Sequence, residues 1–227
     1  MFFEQFHHVH QNGIPLGISA KNFSVNFDTK SYNDFLKSGL IHNFRFNVSQ
    51  SGQYRIKVLV KDNFSNKIGT MSESLNVPDL MKDKLALSGI LLQNYTQNEW
   101  KFIQANAASN NDDVNKKTQS DTAFRRFKKG TILGYIYGVY ISPELTKDNS
   151  GKLIATANLL KDNKIVFTGV PEEMPVKLSR SLTKSNRRGA FLLGTEMTVG
   201  KYSLQITIKT EDGKTSETQI IEFEVTD

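Results

Sequence analysis

Ser51-Gly52-Gln53-Tyr54-Arg55-Ile56-Lys57-Val58-Leu59-Val60-Lys61-Asp62 decides the fold, because its pattern returns as Val199-Gly200-Lys201-Tyr202-Ser203-Leu204-Gln205-Ile206-Thr207-Ile208-Lys209. In each stretch a turn glycine leads, a tyrosine follows two residues on, and apolar residues then alternate with polar ones. That period of two is the signature of a half-buried strand. A tyrosine at the start of a late strand, returning its hydroxyl to nearby backbone, is the tyrosine corner of immunoglobulin-like sandwiches. Two copies predict an all-β chain of two such sandwiches in tandem.

Outward from the first copy, residues 1–27 read as a hairpin around Asn12-Gly13, a strong two-residue turn signal. Thr29-Lys30-Ser31 opens a short crossover helix in which Tyr32, Phe35 and Leu36 share a face, and Gly39 stops it. Ile41 to Val48 reads as the next strand, and Lys67 to Val77 as the one that closes the domain. Five strands fall short of the seven or so of an immunoglobulin-type sandwich. The first domain, residues 1–78, therefore reads either as a piece of a longer architecture lacking N-terminal strands or as a domain whose first sheet has an open edge. Pro78 ends its last strand, having no N–H for the ladder, and residues 79–84 form a short polar linker.

The second domain is predicted over 85–227. Leu85 to Gln93 reads as an apolar strand, and residues 94–123 as a long polar loop pinned by Trp100-Lys101-Phe102-Ile103. Thr131 to Ile141 is the expected central strand. Leu153 to Leu160 and Ile165 to Thr168 form a hairpin, Lys177 to Arg188 reads as irregular, and Gly189 to Leu193 as a short strand. With Gly200–Lys209 and Glu217–Val225 the expected count is seven.

The chain has 227 residues, a net charge of +6 and a pI near 9.3. Such a pI points to nucleic acid or an anionic surface only where the charge is concentrated. It is partly concentrated at Arg125-Arg126-Phe127-Lys128-Lys129 and Lys184-Ser185-Asn186-Arg187-Arg188. Elsewhere lysines alternate along strands, where they solubilise the sheet and protect its edges. No specific nucleic-acid partner is expected. The absence of cysteine excludes disulfides, thiol catalysis and thiolate metal sites. No apolar run approaches the ~18 residues that cross a bilayer, and Met1-Phe2-Phe3, followed by Glu4, Gln5 and histidines, does not read as a signal peptide.

Candidate sites are sparse. His8 and His10 share one face of a strand, so an H-x-H pair there is a weak zinc candidate that needs a third ligand; as terminal surface histidines they bind no metal. No Gly-x-Ser-x-Gly and no phosphate-cradling glycine loop occurs, the second domain has no histidine, and the carboxylate pairs fall in turns. No catalytic residue and no cofactor is predicted. Arg125, Arg126, Lys128 and Lys129 interleave with Phe127, and together with Trp100 they are the candidate contact for an anionic polymer or glycan. In the competing reading Phe127 is the first core residue of the strand that follows, and the cations only flank it.

Ser51-Gly52-Gln53-Tyr54 through Val77-Pro78-Asp79-Leu80, then Leu85-Ala86-Leu87-Ser88-Gly89, resemble the C-terminal β-sandwich region of von Willebrand factor A-related proteins of the acidobacterial type. Arg126-Phe127-Lys128-Lys129-Gly130 leading into Tyr135–Tyr140, Leu160-Lys161-Asp162-Asn163-Lys164-Ile165-Val166-Phe167, and the block from Gly200-Lys201-Tyr202 to Phe223-Glu224-Val225 carry the same resemblance. It covers most of residues 24–227. It implies β-sandwich modules that follow an A domain, in proteins that are generally exported, so an extracellular or envelope-associated setting. The chain has no Asp-x-Ser-x-Ser motif and no α/β alternation for an A domain, so metal-dependent adhesion transfers to no residue here. The expectation is a non-catalytic module that presents or connects binding surfaces, with a protein partner or the missing A domain beside it. The alternatives are a carbohydrate- or anionic-polymer-binding module, and an assembly protein that accepts a donor strand at an open sheet edge.

Overall fold

The computed structural model describes residues 2–11, 14–39, 47–48, 50–105, 124–148 and 151–227. The protein is all-β in character, with three sheets and three helices among the described residues. Its contacts divide it into two units, one reaching to Asp79 and the other made of Leu80–Asp227 together with Ser38 and Gly39.

In the first unit, β1 (Phe2–Gln11), β2 (Ile14–Ser24), β3 (Gly52–Asp62) and β4 (Ile68–Val77) form one antiparallel sheet in the order β2-β1-β3-β4. The expected hairpin is there as the β1–β2 pair. Helix α1 (Thr29–Ser38) begins where the Asp28 carboxylate accepts the Ser31 amide at 2.7 Å, an N-cap that satisfies an otherwise orphaned donor. Tyr32 and Phe35 of α1 pack on Phe27, with ring centres 6.0 and 4.9 Å away. Gly39, with φ +76°, ends the helix in a conformation that glycine adopts without strain. Opposed residues of an antiparallel sheet share a face. Tyr54, opposite both Gln11 and Leu75, and Val9, opposite Ile56, therefore lie on one face, and both are buried. Arg55 and Lys57 lie on the other and are exposed. Most of the predicted strand Ile41–Val48 lies outside the described residues.

The second unit holds two sheets. One runs β10 (Lys164–Thr168), β9 (Lys152–Lys161), β13 (Gly200–Thr210), β14 (Ser216–Thr226), β7 (Arg126–Lys128), with β11 (Glu172–Pro175) also on β9. The other is built on β8 (Ile132–Ile141), flanked by β12 (Thr183–Leu192) on one side and by β5 (Leu85–Leu87) and β6 (Leu91–Tyr95) on the other. Alternate residues of both sheets fill one core: Leu133, Tyr137 and Val139 from β8 with Leu204, Ile206 and Ile208 from β13 and Phe223 and Val225 from β14. This is the face-to-face packing of a β-sandwich.

Several expectations for this unit need correction. The strand foreseen over Leu85–Gln93 is broken into β5 and β6. Leu87 opposes Val139 and Leu91 opposes Ile136, so four residues of one chain span three of the other, a β-bulge. Ser88 fills the break, its hydroxyl accepting the Gly138 amide at 2.7 Å. The loop expected from 94 to 123 contains the end of β6 and then helix α2 (Gln97–Ala105). Thr96 and Glu99 form a capping box there: the Thr96 amide donates to Glu99 Oε2 at 2.8 Å, and the Glu99 amide to Thr96 Oγ1 at 3.2 Å. Lys177–Arg188 is not irregular throughout, since β12 starts at Thr183 and stays in register with β8 to Leu192. Phe127 does not open the strand that follows it; it occupies the middle of its own strand, β7. A third helix, α3 (Pro143–Asp148), follows β8.

Candidate functional site

The duplicated stretch folds twice into the same hairpin. Gly52 has φ +137° and Gly200 φ +129°, a region that favours glycine. Gly52 opposes Val77 and Gly200 opposes Val225, at equal spacing. Tyr54 Oη donates to the Gln50 carbonyl at 2.7 Å, and Tyr202 Oη to the Thr198 carbonyl at 2.9 Å, each four residues upstream. The turns close alike, with the Asp62 amide on the Lys67 carbonyl and the Thr210 amide on the Thr215 carbonyl, both at 2.9 Å. An aspartate anchors each turn. Asp62 accepts Ser65 Oγ at 2.6 Å and the Phe64 amide at 3.0 Å; Asp212 accepts Thr210 Oγ1 at 2.7 Å and the Lys214 amide at 3.1 Å. These bonds favour the charged form. The hydroxyl of Ser65 holds Asp62 below the ordinary carboxylate range, and that of Thr210 brings Asp212 down to about 2.

What covers the two hairpins differs. On β14 the inner residues Phe223 and Val225 are buried, and the strand's far edge is paired at Glu224–Thr226 by β7, which runs parallel to it. Phe127 of β7 is 0% exposed and meets Phe223 edge to face at 5.9 Å, and Phe223 in turn stacks on Tyr202 at 5.9 Å. On β4 the position equivalent to Phe223 is Leu75, opposite Tyr54 as Phe223 is opposite Tyr202. Leu75 is 41% exposed, and Met71, on the same face, 60%. Among the described residues nothing pairs with the far edge of β4.

That edge carries little of the usual protection beyond Glu73, which lies on the same face as Met71 and Leu75. Strand β2, at the opposite side of the same sheet, carries Pro15 and Lys21. In the second unit β10 starts on Lys164 and is bulged between Ile165 and Phe167, β7 carries Arg126 and Lys128, β11 ends on Pro175, β12 carries Lys184 and Arg188, and the β5–β6 side is bulged. Strand β4 has no lysine, arginine or proline, and its register with β3 is unbroken from Gly52–Val77 to Lys61–Ile68. Its one charge is Glu73.

The residues singled out from sequence fall as follows. Arg126 Nε pairs with Glu224 Oε2 at 2.9 Å, and its guanidinium lies 5.8 Å from the Phe124 ring centre. Lys129 Nζ pairs with Asp227 Oδ1 at 2.6 Å. Lys128 and Arg125 are exposed, and the Arg125 carbonyl accepts the Glu224 amide at 2.8 Å, so part of this segment's work is to bind β14 through its backbone. Trp100 stands on α2, its ring 5.7 Å from that of Tyr95. The register of β1 on β3 puts Lys57 opposite His8 and Arg55 opposite His10, cations where a metal site wants anions. No group of three or more metal-ligating side chains occurs among the described residues. The exposed β4 edge was not read at residue level from the sequence, although the absence of Lys and Pro from 68–77 was the available signal.

A cleft of about 540 Å³ is lined by residues of β8, β11 and β12. Its floor includes Val139, Ile141 and Met174. The inward positions of β12, alternating with the core residue Phe191, are here Thr183, Ser185 and Arg187. Arg187 pairs with Glu172 of β11 and so ties one sheet to the other. It opposes Tyr137, whose hydroxyl burial pushes up to about 12; Tyr135 adds to that rise and Arg187 opposes it.

No protein-family model matches the chain. No curated protein matches it either. Among solved structures it is similar to the β-glucuronidase of Parabacteroides merdae, at 12% identity and a TM-score of 0.35, over 99% of this chain. The chain spans 25% of the length of that enzyme. No described helix is long and apolar enough to cross a membrane.

Proposed function

We propose that this chain is a non-catalytic interaction module, two immunoglobulin-like sandwiches in tandem, that presents a strand edge to a protein partner within a larger exported or envelope-associated assembly. The observation that carries the reading is the contrast between the two hairpins. An inner-face leucine and methionine stand exposed on β4, on an edge with no guarding cation or proline, whereas Phe223, the β14 residue that matches Leu75, is buried. The two tyrosine-to-backbone bonds support the immunoglobulin-like assignment. An A domain, as the sequence resemblance implies, is one source of the partner.

A carbohydrate- or anionic-polymer contact at 125–129 keeps two exposed cations, Arg125 and Lys128. Their neighbours Arg126 and Lys129 are engaged by Glu224 and Asp227, and Phe127 is spent on the core. The β4 reading is the better supported.

Photo-cross-linking tests it. A photoreactive side chain is placed at position 71 or 75 of the chain expressed in its own cells, and at 166 on the bulged β10 as a control. Discrete adducts from 71 and 75 alone are expected. No adduct, or the same adducts from 166, overturns the proposal.

A further inference from the structure

The cleft along β8, β11 and β12 has two unlike walls. The inward residues of β12, Thr183, Ser185 and Arg187, stand opposite Ile141, Val139 and Tyr137 of β8. Opposed residues of an antiparallel pair share a face. A polar row therefore runs beside an apolar one for four residue steps, about 13 Å at ~3.3 Å each. Met174 of β11 is buried on the apolar side. The volume of about 540 Å³ lies within the range of about 300–1,000 Å³ that holds small organic ligands.

The polar row has unspent capacity. A guanidinium offers five donors. That of Arg187 pairs with Glu172 through one terminal nitrogen, while its Nε is buried and has no hydrogen-bond partner. A buried donor without an acceptor is costly, so an added acceptor is favoured there. The Thr183 and Ser185 hydroxyls also hold no partner among the described residues. Two other hydroxyls of the lining are spent on backbone: Thr146 Oγ1 donates to the Pro143 carbonyl and Ser179 Oγ to the Ser181 carbonyl, both at 2.8 Å. No carboxylate lines the cleft among the described residues, whereas exposed Lys177 does. Lys184 turns its ammonium to the other face of the sheet, 5.5 Å from the Tyr140 ring centre. Leu178, also lining the cleft, is 77% exposed and leaves apolar surface to be covered.

These walls select the charge of an occupant. Cations without a lining acid call for an anion, and Glu172, already on Arg187, stands close enough to oppose a second negative charge. We infer that the cleft binds a small aliphatic monocarboxylate, its head between Arg187 and Ser185 and its chain along Val139, Ile141 and Leu178. The guanidinium and the Ser185 hydroxyl hold the head by charge-assisted hydrogen bonds. The chain adds affinity by removing Leu178 and Ile141 from water. The site lies wholly within the second unit, so it goes beyond the β4 reading and stands or falls separately from it.

The test titrates the full 227-residue chain with octanoate, octanamide, acetate and octyl phosphate, reading amide NMR shifts. It is run at pH 8, where a phosphate monoester is a dianion. Saturable octanoate shifts at residues 139–141, 176–178 and 183–187 are expected, with affinity for each of the other three lower by about tenfold or more. Arg187 also ties the sheets together, so it is replaced along with its partner. Glu172→Gln with Arg187→Gln leaves two neutral amides that can bond to each other and is expected to lose octanoate affinity by about tenfold or more. Glu172→Gln alone is expected to retain it. Leu178→Asp, at an exposed position, is expected to weaken octanoate as well. Unchanged β13 and β14 shifts in each variant show that the second unit is folded. No saturable octanoate shifts, shifts confined to other residues, equal affinity for octanamide, or binding as tight to octyl phosphate overturns the inference. So does octanoate affinity that survives the double variant. If the double variant does not fold, Leu178→Asp decides, and undiminished octanoate affinity there overturns the inference.

Discussion

Hairpins β3–β4 and β13–β14 share a glycine with positive φ, a tyrosine bonded to the carbonyl four residues back, and an aspartate-anchored turn. One is sealed: Tyr202, Leu204, Ile206, Ile208, Phe223 and Val225 are all buried. In the other, only Tyr54 is buried, and the return strand is exposed along nearly its whole length. Backbone hydrogen bonding is therefore not what separates them, since both ladders are complete. What separates them, among the described residues, is the layer above and the strand beside, which the second hairpin has in β8 and β7. Local sequence specifies a hairpin; neighbours decide whether it is core or surface.

The contrast is tested most severely by removing the seal. Phe127→Ala is expected to cost the second unit about 3–5 kcal/mol, the usual range for a buried phenylalanine. Leu75→Ala, at a solvent-facing edge, is expected to cost about 0.5 kcal/mol or less in the isolated chain. Trp100 is the chain's one tryptophan, so its fluorescence during urea unfolding reads the first change, and amide exchange along β3 reads the second. Comparable losses in both would mean that β4 is already covered, which breaks the comparison.

Next come the glycines. A Cβ added at Gly200 meets nothing within 4 Å, so any loss in Gly200→Ala is backbone strain alone. About 1–3 kcal/mol is expected there and in Gly52→Ala alike, measured by the same two readouts. An effect at one site only would show that the two strands do not start in equivalent ways.

Smaller again are the hydroxyls. Tyr54→Phe and Tyr202→Phe each remove one bond to a carbonyl and should cost about 1 kcal/mol. The larger loss is expected at Tyr202, whose hydroxyl also lies 3.2 Å from Thr198 Oγ1. A larger loss at Tyr54 would reverse that ranking.

The smallest expected effect is one of pH. The Asp212 carboxyl has a folded value of about 2 against 3.8 for the free group. A depressed value means that its contribution is present above about pH 4 and is lost as pH falls through about 2. Asp62 is shifted the same way. Asp212→Asn should therefore flatten the acid-side decline of Tm for the second unit, and Asp62→Asn that of the first; no change in either slope would show that the turns are held by backbone alone.

Much of this architecture is legible in the residues. The Gly-x-Tyr repeats, the helix from Thr29, and the Leu160–Ile165 turn with its positive-φ Asp162 and Asn163 are local patterns, and the chain forms them. What is hidden has non-local or inverted signals. The inward side of β12 is Thr183, Ser185 and Arg187, so its period of two is present without the hydrophobicity that usually reveals it. Three residues of β7 carry no periodicity, and their strand exists only because β14 lies 98 residues away in sequence from Arg126 to Glu224. Helix α2 did have a local signal in Thr96-Gln97-Asn98-Glu99, masked by the polar composition around it. The exposed edge depends on what does not lie beside β4, which a strand's own sequence does not record.

The brevity of β7 has a consequence for motion. The best-packed hairpin of the molecule is sealed by its shortest strand class, three residues fastened by parallel pairing and one ring. Such a strand can detach while the sheets behind it stay folded, a sub-global opening whose free energy lies below that of unfolding. Hydrogen exchange would register it as amides of β7 and the outward amides of β14, such as Glu224, exchanging together and ahead of β13. In that opened form Glu224–Thr226 of β14 loses its neighbour as well, and a β7 released from one copy can dock on the β14 of another. Strand exchange between copies at high concentration thus begins at Phe127, not at the surface that is exposed from the start.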